Sequence, residues 1–185
     1  MPLKPWELIS SRKNESYRIF DLRTDVARSP RTHKTYEFYV LESTDWVNVI
    51  PLTPQNEVVL IRQYRHGTRD VTLEIPGGIV DPGDSPEAAA RRELLEETGY
   101  QASEMVSLGF VHPNPAFLNN RCYTYLAKGV RKITRQDQDE KEDIEVLVRP
   151  LDDVPQLISR GEITHALVLA AFYRFYMDFL PGSSF

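Results

Sequence analysis

The sequence predicts an α/β sandwich rather than an all-β barrel. Runs of β-branched and aromatic residues, which favour strands, are interleaved with two segments that carry helical signals. One helical segment lies between strand runs and the other closes the chain, an order typical of a sheet covered by helices. A length of 185 residues suffices for one complete hydrophobic core and is short for two, so we expect a single domain.

The strand runs begin with an N-terminal hairpin, whose two halves flank a turn at residues 28–31. Strands are predicted at residues 17–26, 35–42, 46–52, 57–64, 71–75, 105–111, 121–130 and 144–149. We expect residues 1–45 to form a β-rich arm of the same domain and residues 46–185 to form the main body.

The first helix has clear start and stop signals. Ser85 is a typical N-cap, Pro86 suits the first helical position and Gly99 suits the end, so a helix of about four turns is predicted between them. A second helix is predicted at about residues 164–179.

Charge and cysteine content narrow the class of protein. The chain has 22 Lys and Arg against 27 Asp and Glu, a net charge of −5, which argues against binding nucleic acid mainly through its phosphates. With Cys122 as the single cysteine, no intramolecular disulfide can form. Residues 1–16 lack the apolar run of a signal peptide or membrane span, so a soluble, cytoplasmic protein is expected.

The first helix carries a cluster of carboxylates. Glu93, Glu96 and Glu97 are spaced by three and four residues, so they rise from one side of the helix. A hard cation such as Mg²⁺ takes oxygen ligands of this kind while binding substrate phosphates. A run of charged residues on a helix is more often a solvated face. The glycine-rich turn before the helix and Gly99 after it favour the metal site, because they fix the backbone on both sides.

These residues resemble the Nudix box. The match consists of Gly78, five residues, Asp84, seven residues and then Arg92-Glu93-Leu-x-Glu96-Glu97-x-Gly99-Tyr100. Asp84 departs from the pattern, because the family usually has Glu there. The resemblance implies a Nudix α/β/α sandwich around a mixed sheet. It also implies that Glu93, Glu96, Glu97 and the main-chain carbonyl of Gly77 bind Mg²⁺, with Mn²⁺ as the alternative ion.

Two further features resemble the ADP-ribose pyrophosphatases of that family. Pro115 lies fifteen residues after Tyr100, like the proline that marks this subfamily, although Pro113-Asn114-Pro115 also reads as an ordinary turn. Arg65 matches the strand-end arginine that contacts the substrate diphosphate, and its guanidinium suits phosphate oxygens. A surface arginine at a strand end is the alternative.

The acidic segment at residues 139–143 resembles the loop that supplies the general base in these enzymes. The match favours Glu140 and then Glu142, and Glu96 is a further catalytic candidate. The alternative is a solvated acidic loop. His112 and His165 lack partners at metal-ligand spacing, and turn and helix-packing roles are expected for them.

The N-terminal aromatics Tyr17, Phe20 and Tyr36 fall where the resembling enzymes stack the nucleotide base at a dimer interface. The resemblance therefore implies base binding by these residues and a homodimer formed through the hairpin. The hairpin has more aromatic surface than a small hairpin buries by itself.

The expected function is Mg²⁺-dependent hydrolysis of the diphosphate in a nucleoside diphosphate sugar, with ADP-ribose as the leading substrate. A Nudix hydrolase of nucleoside triphosphates or dinucleoside polyphosphates is the first alternative. A nucleotide-binding sensor that does not hydrolyse its ligand is the second. Neither a nucleic acid nor a membrane is expected as a partner.

Overall fold

A computed structural model describes residues 2–138 and 143–179 of the protein. The chain divides into two compact units. The first contains Met1–Thr44 with His112–Arg121, and the second contains Asp45–Val111 with Cys122–Phe185.

The first unit is built on an antiparallel sheet of β1 (Glu7–Ser16), β2 (Asp21–Arg28) and β3 (Thr35–Glu42), which pair in that order. The predicted hairpin is confirmed as β2 and β3, with β2 beginning later than expected. The strand β1 was not predicted. Its residues are polar and exposed throughout, so the alternation that reveals a half-buried strand is absent.

The second unit holds the remaining elements. Its strands are β4 (Trp46–Leu52), β5 (Glu57–Arg65), β6 (Asp70–Glu74), β7 (Gly77–Ile79), β8 (Tyr100–Gln101), β9 (Glu104–Val111), β10 (Cys122–Lys128), β11 (Arg131–Lys132) and β12 (Ile144–Pro150). Its helices are α1 (Pro86–Thr98), α2 (Val154–Ser159), which follows a 3-10 turn at Leu151–Asp153, and α3 (Ala166–Phe179).

The main sheet of this unit is mixed. The order β12-β5-β4-β10-β9 runs across it, with β6 paired to β5 and β7 paired to β4. Strands β4 and β10 are parallel, whereas the other pairs are antiparallel. The short strands β8 and β11 form a separate antiparallel pair.

Helices cover both faces of the sheet. Neighbouring residues on one strand belong to different apolar clusters: Val59 and Ala127 pack with α1, whereas Leu60 and Leu126 pack with α3. Because successive side chains of a strand point to opposite faces, the two clusters are the two sides of a sandwich. The predicted α/β/α architecture with an N-terminal β extension is confirmed.

The first helix begins and ends where its sequence predicts. The Ala88 N–H donates to the Ser85 hydroxyl at 3.2 Å, and Pro86 occupies the first turn. Gly99 ends the helix in the left-handed region at φ 74°, where its N–H donates to the Leu95 carbonyl at 2.8 Å. A side chain at Gly99 would also collide with the Thr134 carbonyl, so glycine is required on two grounds.

The closing helix α3 begins at Ala166, two residues after the predicted start. Its buried residues recur at helical spacing and face the sheet: Val168, Ala171, Phe172, Phe175 and Tyr176. None of the described helices is long and apolar enough to cross a lipid bilayer.

Candidate active site

The carboxylates of α1 differ in burial. Glu97 is 5% exposed and Glu93 is 9% exposed, whereas the side chain of Glu96 is open to solvent. Burial of a carboxylate without a partner lowers the stability of the fold. The presence of two buried carboxylates on an otherwise apolar helix face therefore indicates a specific role. This arrangement is consistent with the prediction that all three carboxylates lie on one side of the helix.

Arg92 contacts acidic side chains both on the helix and in the segment that precedes it. Its Nη1 lies 2.8 Å from Glu93 Oε1 and 3.2 Å from Glu96 Oε2, and its Nη2 lies 3.1 Å from Asp81 Oδ2. Although burial alone would lower it, these carboxylates hold the pKa of Arg92 above its usual value. Asp84 is more distant, with its Oδ2 3.9 Å from Nε.

The glycine turn fits closely against the buried carboxylates. The Gly77 N–H donates to Glu97 Oε2 at 2.9 Å. A Cβ added to Gly78 would lie 2.5 Å from the carboxyl carbon of Glu93, so no other residue fits there without displacing that side chain. The two glycines therefore bring the backbone of β7 into contact with the acidic face of α1.

Across residues 2–138 and 143–179, no three His, Cys, Asp or Glu side chains are gathered closely enough to hold a metal ion. The carboxylate oxygens are instead directed at donors of the protein. Arg92 binds Glu93 and Glu96, and the Gly77 N–H binds Glu97.

A second charged pair lies at the ends of β5 and β6. Arg65 binds Glu74 through two parallel hydrogen bonds, Nε to Oε1 at 2.8 Å and Nη2 to Oε2 at 2.7 Å. Thr72 donates a third bond to Oε1 at 2.6 Å. Burial alone would raise the pKa of Glu74, but these bonds hold it below its usual value, so the carboxylate is ionised at neutral pH.

Glu74 was not among the predicted site residues. It is 2% exposed and stands between the buried apolar residues Leu73 and Ile75 at the end of β6. That pattern is the signal that would have identified it, because a buried carboxylate needs a partner.

One cavity brings these groups together. It has a volume of about 570 Å³ and is lined by Arg65, Glu74, Gly77 and Gly78 together with His165. The glycines contact Glu97 and Glu93, so the carboxylate helix lies directly behind the cavity wall. His165 precedes α3 and was expected only to pack.

The predicted general-base residues Glu140 and Glu142 lie outside the described residues. The chain on either side of them is held beside the end of α1. The Asp137 N–H donates to the Glu96 carbonyl at 2.9 Å, and the side-chain amide of Gln136 donates to the Glu97 carbonyl at 2.7 Å and to the Ile144 carbonyl at 2.9 Å.

The other predicted substrate residues belong to the first unit. The rings of Tyr17 and Phe20 pack at 5.0 Å, and Tyr36 packs edge-on against Trp6 at 5.9 Å. Pro115 is exposed in a turn. In that turn the Asn114 carbonyl accepts from the Phe117 and Leu118 N–H groups. Pro115 therefore lies in a turn, which agrees with the alternative interpretation of this proline, and its role in substrate binding stays a prediction.

A mixed sheet between helices, with a carboxylate-bearing helix set behind a glycine turn, is the arrangement that the resemblance to the Nudix hydrolases implies. The chain belongs to the Nudix family, because the family model described as NUDIX domain matches residues 43–172. The resemblance noted from Gly78 to Tyr100 is thereby confirmed.

Three relatives are similar to the chain over most of its length. It is 32% identical over 149 residues to the methanol dehydrogenase activator of Bacillus methanolicus, covering 80% of both chains. It is 32% identical over 168 residues to the ADP-ribose pyrophosphatase of Mycobacterium tuberculosis, covering 89% of this chain and 80% of that one. It is 33% identical over 173 residues to the GDP-mannose pyrophosphatase of Yersinia pestis, covering 89% and 85%.

A solved structure has the same fold. The crystal structure of an ADP compounds hydrolase superposes with a TM-score of 0.83 over 96% of this chain and 95% of that chain, at 21% sequence identity.

Proposed function

We propose that this protein is a divalent-metal-dependent pyrophosphohydrolase of nucleoside diphosphate sugars, with ADP-ribose as the leading substrate. Water attacks one phosphorus atom of the diphosphate and the bond from that phosphorus to the bridging oxygen breaks. The products are a nucleoside monophosphate and a sugar phosphate. Relatives named for ADP-ribose and for GDP-mannose support this substrate class.

The observation that carries the proposal is the shared wall of the cavity. Arg65, Gly77 and Gly78 all line it, and the two glycines touch the buried carboxylates Glu97 and Glu93. A cationic group and an acidic cluster thus face the same space. A diphosphate needs this combination, because its oxygens take arginine donors directly and approach carboxylates through a cation.

Arg65 is suited to hold the diphosphate oxygens. Glu74 occupies one edge of the guanidinium, while Nη1 makes no hydrogen bond to any residue in the described ranges. The Arg65 side chain is 41% exposed, so this free edge is reachable from the cavity. The bidentate pair fixes the plane of the guanidinium before substrate arrives, which lowers the entropy lost on binding.

The oxygen donors of the acidic cluster are of the type that a hard divalent ion such as Mg²⁺ takes, with Mn²⁺ as the alternative, and the carboxylates would have to turn away from Arg92 and the Gly77 N–H to reach it. Glu93, Glu96, Glu97 and the Gly77 carbonyl are oxygen donors, and Gly78 leaves the space in which the Glu93 carboxylate lies. These four residues would hold the ion. When bound, it would offset the negative charge of the diphosphate and lower the pKa of water. Arg92 neutralises Glu93 and Glu96 within the protein itself.

Proton removal from the attacking water is assigned to Glu140, with Glu142 as the neighbouring candidate and Glu96 as the third. The backbone bond from Asp137 to the Glu96 carbonyl supports the first two. It holds the chain that leads into their segment at the end of the carboxylate helix.

Binding of the nucleotide base is assigned to Tyr17, Phe20 and Tyr36, with Pro115 in the same unit. The rings of Tyr17 and Tyr36 are about half exposed, and aromatic faces of this kind stack on bases.

Identification of the phosphorylated products formed in the presence of Mg²⁺ tests the proposal. The substrates are ADP-ribose, GDP-mannose, ATP and a dinucleoside tetraphosphate. Turnover of the two nucleotide sugars to monophosphates, well above the other two substrates, is the expected result. Preference for ATP or the dinucleotide would identify another Nudix activity. Tight nucleotide binding without turnover of any substrate would identify a sensor.

We also propose that the protein is a homodimer formed through the sheet of the first unit. Large apolar side chains on this sheet are exposed: Trp6, Leu8, Ile9, Tyr36, Phe38 and Tyr39. A surface of this kind is typical of an interface. Sedimentation at micromolar concentration should give a dimer, and Phe38→Lys should shift it toward monomer while Lys34→Glu, a polar change beside β3, should not. A wild-type monomer with full activity would contradict the proposal.

A further inference from the structure

The wall of the cavity formed by β4 and by the residues around the start of α3 has no Asp, Glu, Lys or Arg and carries a few neutral polar groups among apolar ones. Asn48 and Trp46 contribute from β4, and Thr164 and His165 contribute from the residues before α3. Arg65 lines the same cavity. A volume of about 570 Å³ leaves room for more than a diphosphate group.

The hydrogen bonding of His165 fixes its tautomer. The Leu167 N–H donates to His165 Nδ1 at 3.3 Å, so Nδ1 is an acceptor and the proton of the neutral ring is on Nε2. Burial lowers the pKa of His165, with the Arg65 charge acting in the same direction and Glu74 opposing it. No second hydrogen bond to this ring is found among residues 2–138 and 143–179. The imidazole therefore presents a neutral N–H donor.

Asn48, which lines the same cavity, has a side-chain donor without a partner in the described residues. Its Nδ2 is buried and has no hydrogen-bond partner in the described part of the chain. Its Oδ1 lies against Gly77, where an added Cβ would come within 2.9 Å. Buried amide donors without partners are rare in folded proteins, and one that lines a cavity points to a ligand group as the missing acceptor.

We propose that His165 and Asn48 bind hydroxyl groups of the sugar in the nucleotide sugar and so determine the preference for the sugar. This inference rests on the proposed function. Neutral N–H donors match hydroxyl oxygens, whereas the diphosphate takes the charged donor Arg65. The two kinds of donor share one cavity, which allows one molecule to meet both.

The kinetic test compares two substrates that differ only in the sugar. ADP-ribose has a second ribose on its distal phosphate, whereas the ester of ADP with methanol has the same adenosine and diphosphate but a methyl group in place of that ribose and its hydroxyls. His165→Ala should raise KM for ADP-ribose about 3- to 10-fold, as expected for loss of one neutral hydrogen bond. Its kcat should change little, because binding that is equal in ground and transition states affects KM alone. KM for the methyl ester should stay at the wild-type value. Asn48→Ala should behave in the same way.

Two further variants separate hydrogen bonding from packing. His165→Gln keeps a neutral donor and should recover at least half of the lost affinity, whereas His165→Phe should not. His33→Asn, at an exposed turn in the first unit, is the matched control and should leave both substrates unaffected. An equal rise in KM for ADP-ribose and for the methyl ester would overturn the proposal, since it would place the effect on the diphosphate.

Calorimetry with ribose 5-phosphate separates this proposal from the proposed function. The wild-type protein should bind ribose 5-phosphate more tightly than inorganic phosphate, and His165→Ala should remove that difference. If no nucleotide sugar is hydrolysed but this difference is present and lost in the variant, the proposed activity fails and the sugar site stands. Equal binding of the two probes by the wild type would overturn the sugar site, even with full hydrolytic activity.

Discussion

Arg65 and Glu74 meet edge to edge, with two parallel hydrogen bonds of 2.8 and 2.7 Å between guanidinium and carboxylate. One partner is nearly inaccessible to solvent and the other lines the cavity. The ion pair therefore joins the interior of the second unit to the proposed substrate site, and a change at the buried end is expected to be felt at the exposed end.

Glu74→Gln should raise KM for ADP-ribose and lower stability. The amide keeps the volume but removes the charge, so Arg65 loses its fixed orientation. The free energy of unfolding should fall by about 1–3 kcal/mol, since a buried charged hydrogen bond is lost while Arg65 retains access to water. Urea unfolding and steady-state kinetics measure the two effects. Glu145→Gln is the control, because its pair with Arg62 is exposed and should contribute under about 1 kcal/mol. Equal effects of the two substitutions would contradict this assignment.

Glu97→Gln should lower turnover by orders of magnitude while the fold survives, and chelation of the metal should abolish activity. The glutamine can still accept the Gly77 N–H bond, so the turn is preserved while the charge for the cation is lost. Glu93→Gln should act alike. Glu87→Gln, an exposed change on the same helix, is the control. Near-normal turnover of Glu97→Gln in saturating Mg²⁺ would show that the metal binds elsewhere.

Asp84→Glu should stabilise the protein. Arg92 Nε is buried without a hydrogen-bond partner in the described residues, and the Asp84 carboxylate stops 3.9 Å from it. One more methylene brings the carboxylate within reach, and a new hydrogen bond should add about 0.5–1.5 kcal/mol to the free energy of unfolding. Asp81→Glu is the matched control, since Asp81 already binds Arg92 at 3.1 Å. A gain in both variants would point to a general charge effect.

Glu140→Gln should depress kcat about 10²- to 10⁴-fold, the usual loss for a general base, and leave metal affinity unchanged. A group that acts only in the transition state lowers kcat and kcat/KM alike. Glu142→Gln tests the neighbouring candidate, and Asp137→Asn is the exposed control. If both single variants and the double variant keep wild-type kcat, the segment is a solvated acidic loop and Glu96 becomes the leading base.

Stability should fall as the pH drops below about 6.5 because of His165. Its pKa is lowered from the ordinary value of 6.5, so the unfolded chain binds the proton more readily than the folded chain. The loss therefore begins near 6.5 and continues down to the folded pKa. The pKa of Glu74 is lowered from its ordinary value of 4.5, so protonation of Glu74 reduces stability only at lower pH. The melting temperature, measured between pH 7.5 and 5.5, should fall more steeply with decreasing pH for the wild type than for His165→Gln. Parallel curves for the two proteins would contradict the assignment.

The sequence predicted the elements that have strong local signals. Strands β3 and β4 fall at the predicted bounds, and α1 begins at the predicted Pro86 because capping residues act within one turn. The strands β7, β8 and β11 and the helix α2 were not predicted. All four are too short to show a periodic pattern. The pairing of the three strands also depends on partners distant in sequence.

The site was predictable only where spacing along one helix determines it. Glu93, Glu96 and Glu97 share a face by helical geometry alone. The pairing of Arg65 with Glu74 depends on the register of β5 and β6. Arg65 lies opposite Asp70 and Glu74 lies opposite Ile61, so the two residues are at opposite ends of the strand pair. The presence of His165 in the same cavity depends on where α3 begins against the sheet. Contacts between residues distant in the chain produce no recognisable pattern in the local sequence.

The side chain of Gln136 spans two carbonyls, those of Glu97 and Ile144, and Gln138 donates a further bond to Ile144 at 2.8 Å. Gln136 and Gln138 are thereby held beside Ile144 by hydrogen bonds that involve none of residues 139–142. Lengthening a loop whose ends are already fixed is inexpensive, since doubling its length adds only about 0.6 kcal/mol of closure entropy. Residues can therefore be added around the proposed base Glu140 at little cost in stability, and natural variation can alter this segment without rebuilding the sheet or α1.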